Sequence, residues 1–408
     1  MSNRSLPTDR QLRWQDLEFG MFCHFGPNTF CDQEWGEGDD PPEVFMPSDF
    51  SPRQWVETAA AAGMRYLVFT AKHHDGFCLW PTETTDYSVS SSPWRDGRGD
   101  VVGEVAAACH DAGMTFGLYC SPWDRHEPCY DDEAAYDRLY ASQWAELLER
   151  YGPVAVVWLD GAGSKGHRYN WGMIVGTIRE HAPDACIFAL GEPDFRWVGN
   201  EDGLAPYPCW NVVQSAEQSN NADLLFESYR DSFPHYLPAE CDARIRANWF
   251  WHPGDQHTLK SAGRLVYIYE HSVGHGANLL LNVGPDDRGL LPEPDVWRLL
   301  EMRAEIERKW GRPIATAEGP AEELAVELPR PQAINAFSAM EALDEGEAVR
   351  EWRLLARVHG RWQGVSVGTA LGHRHLARFA TVVADAVKLE VKRSDGSHAL
   401  RRLEVFYH

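Results

Sequence analysis

Long hydrophobic runs are missing from this chain of 408 residues. No stretch approaches the roughly 18 to 20 uninterrupted apolar residues that a membrane-spanning helix needs. The opening segment, MSNRSLPTDRQLRWQDLEFG, also lacks the apolar core of a secretory signal. We therefore expect a globular protein with a cytoplasmic location.

Basic side chains are in the minority. The chain has 38 Lys and Arg residues against 61 Asp and Glu residues, and its formal net charge is −23. Such a surface repels phosphate backbones and anionic lipid headgroups. This balance argues against nucleic acid or a membrane as a partner.

Sequence signatures of metals and nucleotide cofactors are absent as well. The nine cysteines all lie at or before Cys241, and none belongs to a CxxC pair. There is no HExxH segment, and no GxGxxG follows a predicted strand. An odd cysteine count without a secretory signal predicts reduced thiols that are mostly buried. We expect no cofactor and no catalytic metal.

Residues 1–315 show a regular alternation of short apolar runs and helical patterns. Several helical patterns end at a glycine just before the next run, as at Gly63 and Gly113, where glycine can adopt the left-handed conformation that ends a helix. The alternation predicts an α/β fold with a parallel sheet, and this length suits a (β/α)8 TIM-like barrel. A doubly wound open sheet is the competing fold. The predicted strands cover 19–25, 66–70, 115–119, 154–159, 186–190 and 279–283, and the sixth and seventh must lie within 201–258.

The pattern changes near Ala317. Helical periodicity stops, and short alternating segments such as INAFSAME and RWQGVSVGTAL follow. They predict a C-terminal β-sandwich over residues 316–408, with the boundary in GRPIATAEGP. We expect this domain to cover apolar surface of the barrel; a carbohydrate-binding module that uses Trp352 and Trp362 is the alternative.

Candidate site residues follow from the barrel, because polar side chains just past the strand ends face its active site. Asp160 follows the buried run VAVVWL and precedes GAG. It either caps a turn, as Asp-Gly often does, or acts as one of the two carboxyls that glycoside hydrolysis needs. Tryptophans near these ends fit a sugar site, since indole faces can carry sugar rings, although each also fits a core. The strand-end positions hold His24, Glu34, Trp35, His73, His74, Tyr119, Trp158 and Asp160.

The His73–His74 pair raises the question of a metal. Adjacent residues on a strand face opposite sides, so both can bind one ion only if the strand has already ended. The alternatives are hydrogen bonds from imidazoles to a polyol substrate, or one histidine in the site and the other in the core.

Seven segments resemble the α-L-fucosidases of glycoside hydrolase family 29. They are FGMFCHFGPNTFCDQEW, KHHDGFCLWPTETTDYSV, GLYCSPWD, VVWLDG, RWVGNEDG, NWFWH and GANLLLNVGPDDRG. The C-terminal segments TALGHRH, ARFATVVADAVKLEV and VFYH are similar to the β-sandwich of these enzymes. HFGPNTF and RWVGNEDG resemble the branch that prefers α-1,3/1,4-linked fucose on branched glycans.

The resemblance implies a retaining, double-displacement α-L-fucosidase acting on fucosylated oligosaccharides. Asp160 matches the family nucleophile, and Arg246 matches an arginine close to the sugar and the nucleophile. Tyr119 and Trp158 would shape the walls of the sugar site. The residues implied to bind fucose itself are His24, Glu34, Trp35, His73 and His74.

Three carboxyls compete for the acid/base role. Glu201, in FRWVGNEDG, lies on a Gly-flanked loop that can fold over the site, and it matches the acid/base of the branched-glycan enzymes. Glu240 is expected beside Arg244 and Arg246, which would lower its pKa, the wrong direction for a proton donor. Glu192 follows the fifth predicted strand. Glu201 is our expected acid/base.

Two other hypotheses stand beside the fucosidase. One is a non-catalytic fucose-binding protein on the same fold, which incubation with a fucosylated oligosaccharide would distinguish. The other is a metal-dependent hydrolase that uses His24, His73, His74 and Asp160, which chelation with unchanged turnover would exclude.

Overall fold

The computed structural model describes residues 5–408. Eight parallel strands form a nearly closed barrel in the order β5-β4-β3-β2-β1-β10-β9-β6, which confirms the predicted fold class. A separate antiparallel pair, β7 and β8, lies within the segment that connects β6 to β9. The first ten strands are β1 (Phe19–Cys23), β2 (Tyr66–Lys72), β3 (Thr115–Cys120), β4 (Val156–Trp158), β5 (Cys186–Phe188), β6 (Arg196–Trp197), β7 (Val212–Val213), β8 (His235–Tyr236), β9 (Ala239–Arg244) and β10 (Asn278–Asn282).

Helices connect and cover these strands. The best-defined ends carry the expected signals: Asp100 caps the start of α4 by accepting from the backbone of Gly103, and Gly113 ends the helix with φ +66°. The helices are α1 (Asp9–Gln15), α2 (Pro27–Cys31), α3 (Pro52–Ala61), α4 (Val101–Ala112), α5 (Glu133–Tyr151), α6 (Trp171–His181), α7 (Glu227–Arg230), α8 (Ala262–Ser272) and α9 (Glu293–Trp310).

The barrel has one incomplete joint, between β5 and β6. Within residues 5–408, these strands are linked by an isolated bridge from Phe188 to Phe195 instead of a ladder. Asp194 reinforces this joint, because its carboxylate accepts from the backbone N–H of Ile187 at 2.8 Å and pairs with two arginines. Arg10 lies 2.7 Å away and Arg179 2.6 Å away. A buried carboxylate therefore replaces part of a strand pairing.

The sixth barrel strand corrects one expectation. It was expected within 201–258, but β6 covers Arg196–Trp197, before that segment. A strand of two residues is too short to show the apolar or alternating pattern by which strands are recognised in a sequence. The seventh, β9, does lie in the expected segment.

The C-terminal region is an antiparallel β domain with its own hydrophobic core, in which Phe337 and Trp352 pack edge to face at 5.5 Å. Its six strands form one sheet in the order β11-β16-β12-β15-β13-β14, with bulges in the long strands β12 and β15. The strands are β11 (Ala315–Ala321), β12 (Glu323–Glu341), β13 (Val349–Val358), β14 (Arg361–Gly368), β15 (His375–Ser394) and β16 (Leu400–Phe406).

The two domains share both apolar and charged contacts. Ala336, Leu376 and Phe406 pack with the core of the barrel. Glu18, directly before β1, lies 2.8 Å from the Arg374 guanidinium and 3.1 Å from His373. The β domain therefore covers apolar surface of the barrel, as expected from the sequence.

Candidate active site

A cavity of about 320 Å³ opens at the carboxyl ends of the barrel strands. Seven of the residues expected at the site line it, together with the expected acid/base Glu201. The lining residues are Phe22, His24, Trp35, His73, His74, Tyr119, Trp158, Asp160, Gly161, Ala162, Phe188, Trp197, Glu201, Asn221, Asp242 and Trp249.

Asp160 is held in one orientation by hydrogen bonds to both carboxylate oxygens. Its Oδ2 accepts from the Tyr119 hydroxyl at 2.9 Å, and its Oδ1 accepts from the backbone N–H of Ala162 at 2.8 Å. The carboxylate ends the apolar run of β4 and faces the cavity, where it can reach a bound sugar.

His74 faces Asp160 with a defined tautomer. The Ser121 hydroxyl donates to the carbonyl of Trp123, so it accepts from Nδ1–H of His74 at 2.7 Å. This leaves His74 Nε2 as an acceptor 3.5 Å from Asp160 Oδ2. Burial lowers the His74 pKa more than the charge of Asp160 raises it, so the ring is neutral. Two acceptors that face each other are best bridged by a substrate hydroxyl.

His24 is neutral for the same reason. The Asn282 amide donates to the Trp249 carbonyl, so Asn282 Oδ1 accepts from His24 Nδ1 at 2.7 Å. Burial lowers the His24 pKa to about 3, against the Asn282 hydrogen bond and with help from His74. Its Nε2 is left as an acceptor for a hydroxyl.

His73 and His74 both line the cavity although they are adjacent in sequence. This is possible because β2 ends at Lys72, so the strand alternation no longer applies. Their ring centroids are 4.2 Å apart. Burial and the two neighbouring histidines lower the His73 pKa well below its ordinary value, which leaves an uncharged ring at the sugar site.

Glu240 lies inside the barrel beneath the cavity, where the expectation of arginine neighbours is wrong. Its carboxyl accepts from the Tyr66 hydroxyl at 2.7 Å and from the Trp158 indole N–H at 2.9 Å. Burial raises its pKa to about 7, against these two hydrogen bonds. Glu240 does not line the cavity itself, but its hydrogen bond holds the Trp158 ring that does.

Glu201 lies at the cavity rim, and its side chain is 46% exposed. The Arg244 guanidinium is 3.3 Å from its Oε2, and the same guanidinium stacks 5.2 Å above the Trp249 ring. Gly203 on the same loop has φ +73°, and a Cβ there would lie 2.7 Å from Ile268. The Glu201 carboxyl therefore lies at the mouth of the cavity, beside Arg244 and the Trp249 ring.

Two expected site residues, Arg246 and Glu34, also lie outside the cavity, and so does the acid/base candidate Glu192. Arg246 is buried between Asp295 at 2.8 Å and Asp255 at 2.5 Å, so the expectation of an arginine against the sugar fails at this position. Glu34 instead accepts from the backbone N–H of Trp249 at 2.6 Å and anchors the loop that holds that ring. Glu192 lies at a different surface depression beside Tyr229 and His235.

Several residues of the cavity wall were not expected from the sequence, among them Trp197, Trp249 and Asp242. A signal was present for Asp242, since polar residues alternate at 240, 242 and 244 in AECDAR. The segment carried no apolar run that would mark it as a strand.

Two structural features are absent from residues 5–408. In this range, no group of three or more His, Cys, Asp or Glu side chains has the arrangement of a metal site. No described helix is both long enough and apolar enough to span a membrane. All nine cysteines are free, and seven are buried.

Comparison with known proteins gives a consistent result. A family model described as α-L-fucosidase matches residues 2–308. The α-L-fucosidase 1 of Arabidopsis thaliana is 38% identical over 431 residues, which span 95% of this chain and 85% of the plant protein. Among solved structures, a glycoside hydrolase 29 family member from an unknown rumen bacterium has a TM-score of 0.88 at 34% identity, covering 99% of this chain and 77% of that chain. A Ruminococcus gnavus GH29 fucosidase in complex with fucose has a TM-score of 0.85 at 29% identity, covering 98% and 95%.

Proposed function

We propose that this chain, which belongs to the α-L-fucosidase family of glycoside hydrolases, releases terminal α-L-fucose with retention of configuration. Asp160 is the nucleophile and Glu201 the acid/base. The observation that carries the assignment is the Asp160 carboxylate, which is oriented by Tyr119 and Ala162 and faces a cavity lined by neutral histidines and tryptophans.

The first step breaks the glycosidic bond. Asp160 attacks the anomeric carbon and forms an ester bond with the sugar, while Glu201 gives its proton to the departing oxygen. His24 and His74 accept hydrogen bonds from sugar hydroxyls through Nε2. All three histidine rings, including His73, are neutral, so none adds positive charge beside the oxocarbenium-like transition state.

The second step restores the enzyme. Glu201, now ionised, takes a proton from water, and this water attacks the anomeric carbon and displaces Asp160. Two inversions at the same carbon give net retention. For this mechanism we expect the Asp160 and Glu201 carboxyls to lie roughly 5 to 5.5 Å apart in the substrate-bound form.

The substrate we propose is α-1,3/1,4-linked fucose on a branched oligosaccharide. HFGPNTF and RWVGNEDG, the segments that resemble the branched-glycan enzymes, both contribute to the cavity wall through His24, Trp197 and Glu201. Trp35 and Glu201 are both 46% exposed at the rim, so neither closes the mouth against a second sugar.

The test compares a small aryl α-L-fucoside with a branched Lewis-type trisaccharide. We expect a strong preference for the trisaccharide in kcat/KM, with α-fucose as the first product seen by proton NMR before mutarotation. Equal turnover of both would contradict the linkage assignment but not the fucosidase, whereas β-fucose as first product would contradict retention.

A further inference from the structure

Asp242 is a buried carboxyl of the cavity wall that the mechanism above does not use. Strand alternation along β9 turns Glu240, Asp242 and Arg244 toward the barrel interior, and Asp242 is the member of this column that lines the cavity with only 4% exposure. Its Oδ1 accepts from the Trp197 indole N–H at 2.7 Å.

The second oxygen of Asp242 is free to meet a ligand. Across residues 5–408, Trp197 is the only side chain that hydrogen-bonds to this carboxyl, and Oδ2 is not among the buried atoms without a partner. No lysine, arginine or histidine in this range pairs with the carboxyl. A buried carboxyl without a cation favours its neutral form.

Burial raises the Asp242 pKa to about 8, with the charge of Glu201 adding to the effect and the Trp197 hydrogen bond opposing it. Because Oδ1 already accepts from Trp197, the proton belongs on Oδ2. The cavity wall at this point therefore presents a hydrogen-bond donor at neutral pH.

The position of Asp242 points to one part of the substrate. Asp160 follows β4, whereas Asp242, Trp197 and Glu201 lie together on or after β9 and β6. The proton donor must lie on the side of the departing oxygen, so groups beside Glu201 face the sugar that leaves.

We propose that Asp242 binds the leaving sugar of the branched substrate by donating from Oδ2 to a hydroxyl or amide oxygen, and that this contact contributes to substrate preference. The inference rests on the proposed function, since it assumes that Glu201 protonates the leaving group.

The experiment measures kcat/KM of the wild type, Asp242→Asn and Asp242→Ala with the trisaccharide and with the aryl fucoside. We expect Asp242→Ala to lose about tenfold on the trisaccharide, the value of one good hydrogen bond, and to change little on the aryl fucoside. Asp242→Asn keeps an N–H donor and should stay close to wild type on both substrates. Melting temperatures of all variants show whether each one folds.

Asp202→Asn is the matched control. Asp202 carries the same group next to Glu201 in sequence, but it is exposed and does not line the cavity. Its removal should leave both rates unchanged. A second readout is pH: above about pH 8 the wild-type preference for the trisaccharide should fall relative to that of Asp242→Asn, because an ionised Asp242 cannot donate.

Each other outcome has a definite meaning. Asp242→Ala with wild-type activity on the trisaccharide overturns the inference, and so does an equal loss on both substrates, which would place the contact on fucose itself. A folded wild-type protein that releases no fucose from either substrate contradicts the proposed function instead.

Discussion

At the scale of single residues, charge is distributed so that the cavity holds acids but no internal cation. Among the described residues that line it, the only candidate cations are the rings of His24, His73 and His74, which are neutral because burial lowers the pKa of each. Arg244 stays at the rim with Glu201. This arrangement favours positive charge at the anomeric carbon over negative charge elsewhere on the ligand.

Replacing Asp160 tests the nucleophile. Asp160→Ala should fold, since the side chain faces the cavity, but should lose several orders of magnitude in turnover because no covalent intermediate can form. Azide should partly restore turnover and give β-fucosyl azide, identified by NMR. Turnover near wild type without azide would rule out Asp160 as nucleophile.

Replacing Glu201 tests the acid/base. Glu201→Ala should severely reduce turnover of oligosaccharides, whose alcohol needs a proton, and spare aryl fucosides with good leaving groups. Glu240→Gln is the matched control, because Glu240 is a buried carboxyl beneath the cavity that contacts Tyr66 and Trp158. If the leaving-group dependence appears in Glu240→Gln instead, Glu201 is the wrong residue.

At the scale of elements, a site residue could be predicted from the sequence where it follows a strand that is itself recognisable. Asp160, His73 and His74 follow well-marked apolar runs, so their place at the barrel mouth was foreseeable. Asp242 lies on a strand without such a run. The buried position of Arg246 could not be predicted, because its partners Asp255 and Asp295 come together only through tertiary folding.

The incomplete joint between β5 and β6 yields a prediction for Asp194. Asp194→Asn removes the charge that pairs with the partly exposed Arg10 and Arg179, and it should destabilise the protein by about 2 to 3 kcal/mol, the range for losing hydrogen bonds to a charged group. Urea unfolding measures this. Asp184→Asn, which removes an exposed partner of Arg13, should change stability by less than about 0.5 kcal/mol. Equal stability of the two variants would show that the joint does not depend on the Asp194 carboxylate.

At the scale of the whole molecule, the domain interface should be sensitive to acid. Burial opposes ionisation of Glu18, but Arg374 and His373 outweigh it and lower the Glu18 pKa to about 2. A lowered carboxyl pKa adds stability that is present above the unfolded pKa of about 4.5 and is lost as pH falls toward 2. The shift corresponds to about 3 kcal/mol.

We therefore expect Glu18→Gln to be less stable than wild type at pH 6 and to approach it at pH 3, as measured by urea unfolding at both values. Glu57→Gln, which breaks an exposed pair with Arg53 on α3, is the control and should follow wild type at both pH values. A Glu18→Gln deficit that does not change with pH would mean that the interface depends on shape and not on charge.

The incomplete joint of the barrel also lies between the two carboxyls of the mechanism. Asp160 ends β4 and Glu201 follows β6, so the shorter path around the barrel from one carboxyl to the other crosses the joint between β5 and β6. Continuous ladders hold the geometry everywhere else around the ring. The distance between the two carboxyls is therefore set where a few backbone hydrogen bonds and one buried aspartate, Asp194, take the place of a ladder. A residue far from any sugar, Asp194, thus belongs to the structural support of the carboxyl spacing on which retention depends.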